Sequence, residues 1–487
     1  VNMSGKKSVD FGLTVNGGIP APILEFTEGD DAEIIVKNRI PDQEASIHWH
    51  GILLPSDMDG VPYVSNAPIK SGEDFTFRFK IRQNGTYWYH SHTMTQEQEG
   101  VFGPIVIHPK KESIRYDKDV VVLLSDWADE SGEDIIKNLR KDGDYYLYKK
   151  GTMRSWLGAI QAKKLGSFLK NEWTRMGGMD FSDVGYDAFL MNGKKDFQLL
   201  NAHRGEKIRI RIINAAASSY FYVSLGQSPM KVISSDGQDI EPADAKELFI
   251  GMAETYDVLF ELPENRNYEL KATSQDGLGF ASGWIGMGEK ISAPSRPFPD
   301  MYMAMNHSAH KEHRADSDSS KLNNVEHTDH LAHRPSSAPQ TQHGCKAEEY
   351  WDEPMEMCMP SNDLNQVNTE NIIEILTVDN IKAKESTAFL ENAKNYDLKL
   401  VLGGDMRRYI WFINGKAAFE DRILRINEGD IIRFTFENTT MMHHPMHLHG
   451  HFFRVVNKNG DRSPLKHTVD VPPHATRTIE FLSNEPG

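Results

Sequence analysis

Seven histidines in three short motifs are the residues of this chain best suited to chemistry. They are His48 and His50 in HWH, His90 and His92 in HSH, and His444, His447 and His449 in HPMHLH. In a β-strand, residues i and i+2 project from one face, so a His-x-His pair can present two imidazoles to one site. A single pair could bind zinc, line a cupin-like metal site or have no role. Three such motifs near both ends of the chain predict one metal centre between the first and last domains.

A repeated pattern predicts the β-domains that must position these histidines. In three places an Asn-Gly pair precedes a glycine, and an asparagine follows that glycine by nine positions. The three copies are Asn16-Gly17, Gly29 and Asn38; Asn192-Gly193, Gly205 and Asn214; and Asn414-Gly415, Gly429 and Asn438. Between glycine and asparagine, an acidic turn leads into a β-branched strand, as in EGDIIRFTFEN. We therefore expect an all-β chain with three similar Greek-key β-sandwich domains.

The length of 487 residues fits several domains, since single cores stop growing at about 250–300 residues. We place the first domain at residues 1–112 and the second at residues 113–290, with a helical insert near 132–172. A linker follows at residues 291–370, and the third domain occupies residues 371–487.

The linker is polar, contains many Pro and Ser residues and is poor in large aliphatic side chains, so we expect no core of its own. Its thioethers and imidazoles are ligands that suit copper, especially Cu(I). The candidate accessory ligands are Met301, Met303, Met305, His307, His310, His313, Met355, Met357 and Met359. The alternative is an interdomain tether of accidental composition. Cys345 and Cys358 could form a disulfide in an exported protein or join the soft ligands.

Composition excludes some classes of function. The net charge of −16 and the sequence pI near 5.7 argue against a nucleic-acid-binding surface. No apolar run approaches the roughly 20 residues that a membrane-spanning helix needs, so we expect no membrane span. The opening VNMSGKKSVD is not a charged-then-apolar leader, so we expect any export signal to be removed or absent. Nothing in the sequence indicates an oligomeric state.

The histidine motifs resemble three of the four copper signatures of multicopper oxidases, which are built from three cupredoxin-like domains. These signatures are HWHG at 48–51, HSH at 90–92 and HPMHLHGH at 444–451. Within that family the chain is most similar to the bacterial copper-resistance CopA type. That likeness rests on SDWADE at 125–130, DYY at 144–146, SSDGQDIEP at 234–242, ETYDV at 254–258, TTMMHHPMHLHG at 439–450 and KHTVDVPP at 466–473.

The resemblance implies a role for each motif histidine. It assigns His48 and His447 to type 2 copper, and His444 to type 1 copper. The type 3 pair falls to His50, His90, His92 and His449. Asp59 matches an acidic residue that relays protons in relatives; the alternative is an Asp-Gly turn.

The implied function is that of a periplasmic or otherwise exported oxidase that binds four coppers per complete chain. It would couple one-electron oxidation of Cu(I), or of phenols as in laccases, to four-electron reduction of dioxygen. Other low-valent metals are further candidate donors.

One family signature is missing from the sequence, namely HCHxxxH followed by Met. It would supply the type 1 cysteine, and neither Cys345 nor Cys358 stands in that context. The segment RTIEFLSNEPG ends at the position of Gly85 in the first repeat, one strand before the missing motif. Because a third domain without its last strands would expose pairing edges, we expect a truncated chain. If the motif is truly absent, the alternative is a non-catalytic periplasmic protein that binds or sequesters copper.

Overall fold

The computed structural model describes most of the chain outside the linker and part of the helical insert. The described residues are 1–143, 182–297, 372–389, 394–405, 408–420 and 423–485, with the short pieces 145–148, 156–161, 163, 165–166, 169, 299, 349–352 and 357–360. Of the accessory candidates, only Met357 and Met359 fall within them, and only as backbone. Met301, Met303, Met305, His307, His310, His313 and Met355 lie outside them, as does Cys345.

The N-terminal strands form a four-stranded sheet and a two-stranded sheet. The strands are β1 (Leu24–Thr27), β2 (Asp31–Lys37), β3 (His48–His50), β4 (Asp74–Lys80), β5 (Gly85–His90) and β6 (Phe102–His108). The larger sheet has the order β1-β6-β5-β3, and β2 pairs with β4. Trp49, Phe77, Tyr87 and Ile107 belong to one buried core between them. Because β3 and β5 are antiparallel neighbours, their histidine motifs lie side by side.

A larger sheet forms the middle of the molecule. Its strands include β7 (Lys118–Trp127), β8 (Ala188–Met191), β9 (Asp196–Leu200), β10 (Lys207–Asn214), β11 (Phe221–Leu225), β12 (Met230–Ser235), β13 (Gln238–Ile250), β14 (Thr255–Glu261), β15 (Asn267–Ser274), β16 (Phe280–Gly286) and β17 (Lys290–Ile291). The order is β8-β7-β10-β14-β12-β13-β11-β15-β16-β9, with β17 on β15. Strands β10 and β14 are buried along most of their length because isoleucine, valine and aromatic side chains recur there.

Helices lie within the predicted insert. They are α1 (Gly132–Lys141) and α2 (Trp156–Gln161). Ser131 caps α1 by accepting a hydrogen bond from the backbone N–H of Asp134 at 3.2 Å. Ile135 and Leu139 are the buried side of α1, at the i, i+4 spacing of one helical face. Short 3-10 turns occur within the insert at Tyr145–Tyr148 and outside it at Ser56–Met58, Val378–Asn380 and Gly460–Arg462.

Two strands lie within the predicted linker. They are β18 (Glu349–Asp352) and β19 (Met357–Pro360), which pair antiparallel. After the linker, β20 (Ile373–Leu376) runs parallel to β13 and so extends the middle sheet.

The C-terminal strands form a six-stranded sheet and a separate pair. They are β21 (Asn395–Asp405), β22 (Ile410–Ile413), β23 (Ile431–Asn438), β24 (His444–His447), β25 (Phe453–Val455), β26 (Leu465–Lys466), β27 (Thr468–Val471) and β28 (Thr476–Leu482). The larger sheet has the order β22-β21-β23-β28-β25-β26, and β24 pairs with β27. Ile432, Phe436, Phe453 and Val469 share its buried core.

The sequence repeat corresponds to two recurring structural features. The Asn-Gly pairs form two-residue turns with positive φ at both positions, for example 51° at Asn16 and 82° at Gly17, as a type I′ turn requires. The later asparagines are buried and donate side-chain hydrogen bonds to backbone carbonyls, as Asn38 does to Ile69 and Asn438 to Val471. Each repeat therefore combines a tight turn with a buried amide that fixes the neighbouring loops.

Candidate metal centre

Strand pairing brings the N-terminal histidine motifs together. His48 lies opposite His90 in the β3–β5 pair, and His92 follows β5 directly. At the other end of the chain, β24 begins at His444 and ends at His447. His449 follows in the turn after β24.

Six of the seven motif histidines meet in one cluster, here called the six-histidine cluster. Its members are His48, His50, His90, His92, His447 and His449. The ring centroids of His50 and His447 are 3.7 Å apart, and those of His48 and His449 are 4.2 Å apart. Within two sets of three, potential ligand nitrogens lie within 4.8 Å of one another. One set joins His48, His50 and His447, and the other joins His48, His92 and His449.

Two histidines in this cluster each present a bare, buried nitrogen. The Nδ1–H of His48 donates to the carbonyl oxygen of Asp59 at 2.9 Å, and that of His447 donates to the carbonyl oxygen of His467 at 2.6 Å. Because a carbonyl only accepts, both protons are on Nδ1 and both lone pairs are on Nε2. Each Nε2 is buried with no hydrogen-bond partner among the described residues. A metal-binding histidine usually donates one ring N–H to a carbonyl or carboxylate and keeps the lone pair of its other nitrogen for the metal.

The nitrogens of His50 and His90 also fit a shared metal ion. Nε2 of His50 lies 3.0 Å from the hydroxyl of Thr468, while Nδ1 of His90 donates to the Glu97 carboxylate at 2.7 Å. The remaining nitrogens, Nδ1 of His50 and Nε2 of His90, face each other at 3.4 Å. Two nitrogens that bind one metal at about 2.0 Å with near-tetrahedral geometry lie about 3.3 Å apart.

The protonation states favour metal binding. Burial lowers the pKa of His48 to about 4, although its hydrogen bond with Asp59 acts in the opposite direction. Burial, reinforced by neighbouring imidazoles, holds the pKa of His50 and of His447 well below the usual value. Metal ions bind neutral imidazole, so these side chains are in the binding form at neutral pH without loss of a proton.

Asp59 contacts two histidines of the cluster. It is 7% exposed and follows the 3-10 turn Ser56–Met58. Its Oδ2 accepts a hydrogen bond from Nδ1 of His449 at 2.9 Å, and its Oδ1 lies 3.2 Å from Nδ1 of His48. Burial alone would raise the pKa of Asp59, but the hydrogen bonds with His449 and His48 outweigh it and lower the pKa. A buried carboxylate that touches two cluster histidines can fix the orientation of their rings.

His444 lies apart from the six-histidine cluster, on the wall of a separate pocket. Its Nε2 is 2.7 Å from the Thr440 hydroxyl, and its ring lies edge-on to Trp411 with centroids 5.2 Å apart. Burial lowers the pKa of His444. The pocket is lined by residues of the middle and C-terminal sheets and their loops, namely Ser182, Asp183, Ala217, Ser218, Tyr220, Met252, Tyr409, Trp411, Met442, His443, His444 and Pro445.

The structure adds His467, which the histidine motifs do not include, and places it fully buried against the cluster. Its ring centroid lies 4.9 Å from that of His50, and burial lowers its pKa to about 4. The contacts of Thr468 and Glu97 with cluster histidines were also not foreseen. The only signal was the motif KHTVDVPP, which indicates family likeness but not contact.

Comparisons with known proteins agree with this arrangement. Family models described as multicopper oxidase match residues 1–112, 118–284 and 391–487. Copper resistance protein A of Escherichia coli is 34% identical over 100% of this chain and 87% of its own length. Copper resistance protein A homolog of Pseudomonas syringae pv. tomato is 36% identical over 100% of this chain and 87% of its own length. Multicopper oxidase MmcO of Mycobacterium tuberculosis is 30% identical over 98% of this chain and 78% of its own length.

Solved structures confirm the predicted fold class of cupredoxin-like domains. The multicopper oxidase Fet3p superposes with a TM-score of 0.62 at 17% identity, over 97% of this chain and 81% of its own. A laccase from Botrytis aclada gives a TM-score of 0.62 at 22% identity, over 98% of this chain and 80% of its own. Within the described residues, no helix is long and apolar enough to cross a membrane. The chain belongs to the multicopper oxidase family, a family of oxidoreductases that bind type 1, type 2 and type 3 copper.

Proposed function

We propose that this oxidase takes single electrons from Cu(I), reduces dioxygen to water and acts in copper resistance. The observation that carries the proposal is a pair of buried Nε2 atoms, of His48 and His447, that have no hydrogen-bond partner in the described part of the chain. The two histidines come from opposite ends of the sequence. Bound copper would supply reversible one-electron chemistry. The balanced reaction converts four Cu(I), one dioxygen and four protons to four Cu(II) and two waters.

The free nitrogens of the cluster support a ligand assignment. His48 and His447 would hold type 2 copper, and His444 would be a ligand of type 1 copper. The type 3 pair would be held by His50, His90, His92 and His449. For His50 the ligand atom is Nδ1, since Nε2 faces Thr468 at 3.0 Å. For the other cluster histidines with a partner at Nδ1, the ligand atom is Nε2.

Asp59 is the proposed proton relay. Reduction of dioxygen to water consumes four protons, and these must enter a buried site. The carboxylate of Asp59 accepts a hydrogen bond from Nδ1 of His449 and lies beside Nδ1 of His48, so it can orient both rings and pass protons on without retaining them. The alternative role of a plain Asp-Gly turn does not require these contacts.

The pocket beside His444 supports Cu(I) as the electron donor. Its lining residues include Met252, Met442, His443 and Asp183. Thioether and imidazole groups suit Cu(I). The pocket volume of about 230 Å³ is large enough for a metal ion. The choice of Cu(I) over a phenol rests on the methionine and histidine residues of the lining.

Copper resistance is proposed because two of the relatives are copper resistance proteins. Export to the periplasm is proposed from the family resemblance of the sequence motifs. The accessory role of the linker, from Met301 to Met359, is proposed from its ligand chemistry alone: it would collect Cu(I) and deliver it to the third domain.

Oxygen uptake by the full-length copper-loaded protein tests the choice of donor. We expect M252L/M442L to slow oxidation of a Cu(I) complex at least tenfold while a small phenol is oxidised at the wild-type rate. Leucine keeps the volume of methionine but removes the sulfur, which makes the change a matched one. Equal loss with both donors, or no loss with Cu(I), would contradict a Cu(I) site in this pocket.

A further inference from the structure

The middle sheet contributes none of the cluster histidines, yet it holds a buried ion cluster directly behind them. Lys466 is 0% exposed, and its ammonium lies 3.2 Å from Asp236 Oδ1 and 3.1 Å from Glu254 Oε1. It also donates to the hydroxyl of Ser235 at 2.8 Å. We call these four residues the Lys466 ion cluster. Its three acceptors match the three donors of the ammonium, as a buried charge requires.

Asp236 links this ion cluster to the backbone of the C-terminal strands. Its Oδ1 accepts the backbone N–H of Thr255 at 2.9 Å. Its Oδ2 accepts the backbone N–H groups of His467 at 3.2 Å and Thr468 at 3.1 Å. One fully buried carboxylate therefore contacts the Lys466 side chain and the next two backbone amides, which fixes residues 466–468 against the middle sheet.

The fixed segment touches two cluster histidines on their outer nitrogens. The carbonyl oxygen of His467 accepts from Nδ1 of His447 at 2.6 Å. The hydroxyl of Thr468 lies 3.0 Å from Nε2 of His50 and 3.3 Å from Nδ1 of His447. The carbonyl contact leaves Nε2 of His447 free, and the hydroxyl occupies Nε2 of His50, so that Nδ1 of His50 faces the cluster.

We infer that Asp236 and Thr468 are positioning residues for the copper cluster: Asp236 anchors residues 466–468 from the middle sheet, and this segment fixes the orientation and tautomer of His50 and His447. The inference rests on the proposed binding of copper by the six-histidine cluster. It gives the middle sheet a defined part in the copper site of the six-histidine cluster, although that sheet provides none of the six histidines.

The substitution D236N tests the anchor, because asparagine keeps the size but removes the charge that holds Lys466. The matched control is D276N. Asp276 is also a buried acid of the middle sheet, but its partners are Ser274 and Leu278 in its own turn. In full-length copper-loaded protein, we would measure copper retention against a chelator and the type 2 signal by electron paramagnetic resonance.

We expect D236N to weaken copper binding by the cluster about 10–100-fold, the usual effect of losing a group that orients a metal-binding histidine, and to alter the type 2 signal. D276N should leave both unchanged. Wild-type retention and signal in D236N would overturn the inference. If wild-type protein bound no copper at this cluster, the proposed function itself would fail, whereas bound copper with unaffected variants overturns only the positioning role.

The substitution T468V keeps the inference testable if D236N does not fold. Valine has nearly the shape of threonine but lacks the hydroxyl that faces His50. We expect T468V to change the type 2 signal and copper retention, and T468S to restore them, because serine keeps the hydroxyl. Wild-type behaviour of T468V would overturn the assigned role of Thr468.

Discussion

Asp59→Asn is the substitution whose effect the structure defines most closely. His48 keeps its orientation in this variant, because its Nδ1 donates to the backbone carbonyl of Asp59 at 2.9 Å and the backbone is unchanged. His449 loses its ionised acceptor. In the wild type, Oδ2 of Asp59 lies 2.9 Å from Nδ1 of His449. A hydrogen bond to a charged group contributes about 1.5–3 kcal/mol, equivalent to about 10–150-fold in rate if it acts in the transition state.

We therefore expect D59N to reduce oxygen uptake about 10–100-fold while the copper content stays near that of the wild type. The assay is oxygen consumption in full-length protein between pH 5 and pH 8, with copper measured on the same samples. D57N is the control, since Asp57 lies in the same 3-10 turn and no contact of its carboxylate with the cluster is seen. Turnover within twofold of the wild type across this range would reduce Asp59 to a turn residue. Loss of copper in proportion to activity would instead make it a purely structural support.

Three further outcomes follow from the same geometry. H90A should abolish oxygen reduction and leave the fold intact. The control H108A changes a half-exposed histidine paired with Glu25 and should keep oxygen reduction. Oxygen uptake would measure the activity of both variants, and circular dichroism would check their fold. His48 alone should make the copper-free protein about 2 kcal/mol less stable at pH 5 than at pH 7. Burial lowers the pKa of His48 from 6.5 to about 4 in the folded state. At pH 5 the unfolded chain therefore takes up a proton that the folded protein excludes. Denaturant unfolding of wild type and H48Q would measure this slope, which H48Q should lessen. Deleting residues 301–359 should slow Cu(I) oxidation while a phenol is oxidised at the wild-type rate. If the deletion variant and the wild type oxidised Cu(I) at the same rate, the segment would be only a tether.

The sequence predicted the fold and the meeting of the histidine motifs because the relevant signals are local. The Asn-Gly turns, the β-branched strands and the buried asparagines such as Asn38 are fixed by short-range chemistry, so a repeat of them predicts repeated β-domains. His-x-His spacing likewise places two imidazoles on one strand face. The domain limits stay predictions, and β20 shows why they are hard to predict: Ile373–Leu376 follows the linker but pairs with β13 of the middle sheet.

The support behind the centre could not be predicted, because it depends on contacts between distant segments. The hydroxyl of Thr468 meets His50 across 418 positions of sequence, and Asp236 meets the backbone of Thr468 across 232. No spacing rule connects such residues. The motif KHTVDVPP showed no sign that Lys466 is buried, since a lysine is almost never fully buried unless it is paired, and its partners lie in the middle sheet.

The central claim is that histidines from both ends of the chain hold one copper cluster. Anomalous diffraction at the copper edge, from crystals of the full-length copper-loaded protein, tests it most directly. We expect copper within about 2.0–2.1 Å of Nε2 of His48 and of His447, and a second position between Nδ1 of His50 and Nε2 of His90. A copper-loaded crystal with no anomalous peak among these nitrogens would contradict the account.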